Sequence, residues 1–92
     1  MKSRDLEFRG INLNHLGMYF EELGGRKMSD TDAFPLIYTG DGWSGQILRE
    51  EDVAITKTFI VNAVHIRFLA ESAEKLDELI KNYRYKTTRI GG

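Results

Sequence analysis

The stretch "TTRIGG", Thr87 to Gly92, closes on Gly91 and Gly92, and paired glycines ahead of a carboxylate are a chemical signal. Ubiquitin-like modifiers and small sulfur carriers end this way. An enzyme must activate their last carboxylate, and a side chain there would obstruct the approach. A flexible tail ends in glycine just as readily. The second signal is "GDGWSG", in which Gly40, Gly42 and Gly45 spell G-x-G-x-x-G. Such glycines hold a pyrophosphate where a strand turns into a helix. Here the strand-like "QILRE" follows, so an ordinary hairpin turn is the simpler reading.

The remaining chemistry-bearing residues are sparse. With no cysteine there is no thiol nucleophile, no disulfide and no Cys-based metal site. The two histidines, His15 and His65, have no partner at ligand spacing along the chain, and no serine sits in a nucleophile-elbow context. Asp30 and Asp32 lack the other oxygen ligands and the glycine of a calcium loop. Glu50, Glu51 and Asp52 read as a solvated turn or edge. No catalytic, cofactor-binding or metal residue is therefore expected, and no enzyme.

Lys81, Arg84, Lys86 and Arg89, interleaved with Tyr83 and Tyr85, form the one basic patch. Cations among aromatics can track phosphates and stack bases. Thirteen basic against fourteen acidic side chains, net charge −1, give no overall positive field, so no nucleic-acid partner is expected. Cations near the end of a helix also complement its dipole. Trp43, Tyr85, Arg84 and Arg89 make a candidate interaction surface. Trp43 is either a hairpin anchor or, more simply, a strand residue packed across the sheet.

These residues need positioning elements. "DLEFRGI" alternates as a half-buried strand. Asn12 can cap a helix over Leu13–Leu23, with Leu13, Leu16, Phe20 and Leu23 on one stripe and Gly24-Gly25 as its stop. A short strand is expected within Arg26–Ser29, then turn residues through Asp32. Phe34–Tyr38 is a strand opened by the only proline, Pro35, which suits an edge. "TGDGW" signals a two-residue hairpin, with "WSGQILRE" returning. "TFIVNAVHIRFLAE" is apolar on both alternating faces, the mark of a central strand. Ser72 caps a second helix over Ala73–Tyr83, with Leu76, Leu79 and Ile80 inward. "YKTTRI" reads as an extended tail. The order predicts one antiparallel sheet with both helices on one face, an α+β two-layer domain spanning 1–92.

Ninety-two residues suit one core, and the ten aromatic residues supply it despite a charged fraction of 29%. The start lacks an apolar leader and no stretch is long enough to span a membrane, so a cytoplasmic protein is expected.

The phrases "LNHLGMYFEELGG", "GDGW", "VNAVHIRF" and "KTTRIGG" resemble the C-terminal domain of MoaD-related proteins, relatives of the small subunit of molybdopterin synthase. The resemblance runs over essentially the whole chain. It implies a TATA-binding-protein-like fold in the order strand, helix, four strands, helix, and no established biochemical role. It leaves two functional expectations. One is a non-catalytic accessory or interaction domain linked to molybdopterin or sulfur transfer, with a protein partner or self-association. The alternative is a sulfur carrier or modifier activated at Gly92 by an adenylating enzyme. The order opposes the latter, since such carriers begin with two strands before a helix.

Overall fold

The computed structural model describes residues 1–28 and 32–91, without the side chains of 89–91. Its elements are β1 (Lys2–Arg9), α1 (Leu13–Glu22), β2 (Arg26–Lys27), β3 (Leu36–Gly40), β4 (Trp43–Ala54), β5 (Ile60–Ala70) and α2 (Ala73–Gly91). One five-stranded sheet has the order β1-β5-β4-β3-β2, antiparallel throughout. The apolar run becomes β5, an interior strand paired on both edges, but only one of its faces is core: the other carries His65 and Arg67 and stays open.

Both helices start where a side chain can satisfy a free amide. The Asn14 N–H donates to Asn12 Oδ1 at 2.8 Å, and the Lys75 N–H donates to Ser72 Oγ at 3.2 Å. α1 stops because Gly24 takes φ 96°, which lets the Gly25 N–H turn back onto the Phe20 carbonyl at 2.9 Å. The β3–β4 turn is the two residues Asp41-Gly42, with Gly42 at φ 76°. The strand-turn-strand context excludes the pyrophosphate reading of "GDGWSG".

The inward residues of both helices join one cluster with those of the sheet. Leu16, Phe20, Leu76, Leu79 and Ile80 are buried against Ile66 and Phe68, and Leu23 packs at the margin. Both helices thus cover the same face. Phe20 is the hub: its ring meets Tyr38, Trp43, Phe68 and Tyr83 at centroid distances of 5.4, 5.8, 5.7 and 4.4 Å. Any Cβ on Gly45 would run into that ring.

One expected element is wrong. "YKTTRI" is not extended, because α2 continues past Tyr83 to Gly91. The inward stripe does not end at Tyr83; Thr87, one turn further, is also buried. Its hydroxyl donates to the Arg84 carbonyl at 2.8 Å, and the Thr88 hydroxyl donates to that of Tyr85 at 3.0 Å. Each β-branched side chain thereby bonds within the helix. The turn expected over Ser29, Asp30 and Thr31 lies outside the described residues.

Two buried tyrosines differ in one respect. The Tyr83 hydroxyl donates to the Leu16 carbonyl at 2.6 Å, tying α2 to α1. Burial drives this phenol well above its ordinary pKa, so it stays a donor. The Tyr19 hydroxyl is buried with no hydrogen-bond partner among the described residues. Tyr83→Phe should therefore cost about 0.5–1.5 kcal/mol, while Tyr19→Phe should be neutral or stabilising, because it removes an unpaired buried group. Urea denaturation of the two variants checks the contrast; equal losses would contradict it.

Candidate functional site

No helix among the described residues covers the other face of the sheet. Side chains alternate across a strand, so Asp5, Glu7 and Arg9 of β1 share it with Ala63, His65 and Arg67 of β5. A β-bulge between Ile47 and Arg49 decides what β4 contributes. In unbroken register Glu50 would oppose Ala63 and stand on the open face. The extra residue instead sets Arg49 opposite His65, Glu50 opposite Val64 and Glu51 opposite Ala63. Glu51 therefore joins His65. Glu50 turns to the helix side, where Asn62 Nδ2 donates to it at 2.9 Å and to the Ile11 carbonyl at 2.6 Å.

The open face carries an ionic ladder. Arg67 donates twice to Asp5, at 2.8 and 3.0 Å. Those hydrogen bonds outweigh partial desolvation and hold the Asp5 carboxyl below its ordinary pKa. His65 Nε2 lies 2.8 Å from Glu51 Oε1 and 3.6 Å from Glu7 Oε2. The hydrogen bond with His65 holds Glu51 low as well. Arg9 Nε donates to Glu7 Oε1 at 2.7 Å. Among the described residues, Glu7, Glu51 and His65 are the group whose donor atoms converge as a metal would need, all within 4.8 Å.

β4 and β5 also run past their neighbours. β3 stops opposite Ile47 and β1 stops opposite Ala63, yet the β4–β5 pairing continues to Ala54 and Ile60. The result is a projecting two-stranded ribbon. Its tip is closed by the Ile55 N–H on the Phe59 carbonyl and by the Phe59 N–H on Thr56 Oγ1. Ile55, Phe59 and Ile60 are 50, 54 and 61% exposed there. The acidic run Glu50–Asp52 is thus strand, on a stretch of β4 that β3 leaves as an edge.

The other expected site residues do not assemble. Trp43 is a correction to the interaction surface, being 9% exposed and stacked on Phe20 rather than offered as an anchor. It does wall a cleft of about 270 Å³ with Leu23 and Leu79, rimmed by Asp41, Lys75 and Glu78. That volume falls just short of ordinary small-molecule pockets, roughly 300–1,000 Å³. Arg84 and Tyr85 are exposed on α2, but Lys86 leaves the basic patch to pair with Glu22 of α1 at 2.8 Å. Asp32 pairs with Lys27 at 3.1 Å, and His15 is exposed on the first turn of α1. Asp30, Gly92 and the Arg89 side chain lie outside the described residues, and Gly91 ends α2.

An all-antiparallel sheet with two helices on one side and a bare, charged opposite face defines a two-layer α+β domain. The model of the family described as archaeal MoaD-like protein matches residues 4–92, and the chain belongs to that family. No curated protein is significantly similar to this chain. No helix among the described residues is long and apolar enough to cross a membrane.

The Asp5–Arg67 pair sets a pH dependence. Because the folded carboxyl titrates below its unfolded value, the contribution is present above the ordinary carboxylate pKa. It is lost as pH falls through the lowered one. Arg67→Gln should raise the Asp5 titration toward the ordinary value, read from its carboxyl carbon by NMR. The stability gap between the two chains should close in acid. An unmoved Asp5 titration would show that Arg67 is not the cause.

Proposed function

We propose that this chain is a non-catalytic interaction domain serving the molybdopterin and sulfur-transfer setting of its family. It engages a protein partner or a second copy of itself, with no role for nucleic acid or membrane. One observation carries the reading: a β-ribbon that projects beyond both neighbouring strands and exposes Ile55, Phe59 and Ile60 at its tip. Apolar side chains beside unpaired strand edges suit docking more than solvation. The tethering of Lys86 to Glu22 and a net charge of −1 speak against phosphate tracking.

The test is a Phe59→Asp, Ile60→Asp double variant, compared with the unaltered chain by sedimentation velocity. Each is run alone and with purified molybdopterin synthase subunits. The unaltered chain should form a complex that the variant loses, while circular dichroism shows both folded. If the unaltered chain stays monomeric and binds none of those subunits, the reading fails.

A second reading rests on the Gly91-Gly92 pair: activation of Gly92 as a sulfur carrier. The helix running to Gly91 opposes it, since entry into a narrow activating channel would require the last turns to unwind. Incubation with ATP, an adenylating enzyme and a sulfur donor should leave the intact mass unchanged. Replacement of one carboxylate oxygen by sulfur would establish the carrier instead.

A further inference from the structure

The geometry points to a divalent transition-metal site on the open sheet face, formed by His65 Nε2, Glu51 Oε1 and Glu7 Oε2, with zinc as the best-fitting ion. Donors on a tetrahedral zinc at about 2.0–2.2 Å stand roughly 3.4 Å apart. The 2.8 and 3.6 Å separations from His65 bracket that spacing, so small side-chain adjustments admit an ion without backbone movement. One imidazole and two carboxylates suit a borderline ion such as Zn²⁺. Ca²⁺ and Mg²⁺ prefer oxygen donors and gain little from the nitrogen.

The scaffold adds precision. The three donors come from three adjacent strands, with Glu7 directly opposite His65 and Glu51 brought to the same face by the bulge. Arg9 holds Glu7 Oε1 at 2.7 Å, which leaves Oε2 turned toward His65. Such an outer contact fixes the orientation of a ligating carboxylate. His65 is 22% exposed and Glu7 34% at the side chain, so the site is accessible without being fully bathed. Arg9 and Arg49 offset the two carboxylate charges, which weakens the attraction for a cation. Three protein donors leave at least one position open to water or to a donor from a docked partner.

Isothermal titration of Zn²⁺ into the chelator-stripped full chain tests this directly. The expected result is saturable binding near one ion per chain, with zinc-dependent shifts of the His65 ring signals by NMR. His65→Ala should abolish binding. Glu51→Gln and Glu7→Gln should each weaken it by more than the roughly 10–100-fold typical of outer contacts. His15→Ala, which alters the only other histidine, should leave binding unchanged. All four side chains are partly or fully exposed, so the variants should fold, which circular dichroism checks. Absence of saturable binding at millimolar zinc would overturn the proposal, as would binding that survives His65→Ala or disappears with His15→Ala.

Discussion

The packing of the Phe20 ring over Gly45 is the contact on which the two layers depend. A side chain at position 45 would lift that ring, and with it a residue that touches Tyr38, Trp43, Phe68 and Tyr83 together. Aromatic pairs at these distances add about 0.5–1.5 kcal/mol each beyond their buried area. Four pairs sharing one ring make the contribution cooperative, so the fit of a glycine in β4 against a phenylalanine in α1 sets how closely helices and sheet approach. "GDGWSG" thus has a structural role at two of its glycines: Gly42 makes the turn, and Gly45 makes room.

Much of this architecture was legible because it follows from local periodicity. The stripe of Leu16, Phe20 and Leu23 and the stripe of Leu76, Leu79 and Ile80 each specify a buried helix face, and Asn12 and Ser72 mark where those helices begin. The end of α2 was misread for an equally local reason. Thr87 and Thr88 favour strands as isolated residues, but Thr87 falls on the stripe that Tyr83 continues. Packing against the core overrides their propensity.

The charged face was much less legible. Glu7, Glu51 and His65 are far apart in sequence, and only strand register unites them. That register includes a bulge, which no composition or spacing rule reveals at Leu48. Without the extra residue, Glu50 would point where Glu51 does. The exposed tip was hidden for the opposite reason: Phe59 and Ile60 look like the start of a core strand. They are exposed because β1 and β3 end before reaching them, not because of their own chemistry.

The projecting ribbon has an energetic consequence. Its outer residues share no side chain with the Phe20 cluster, so they can separate from one another while the aromatic layer stays intact. Amide exchange there would report fraying of a few cross-strand hydrogen bonds rather than global unfolding. A partner that clamps or opens this segment would therefore draw little on the free energy holding the rest of the molecule together. The ribbon can be reshaped while the aromatic layer stays packed.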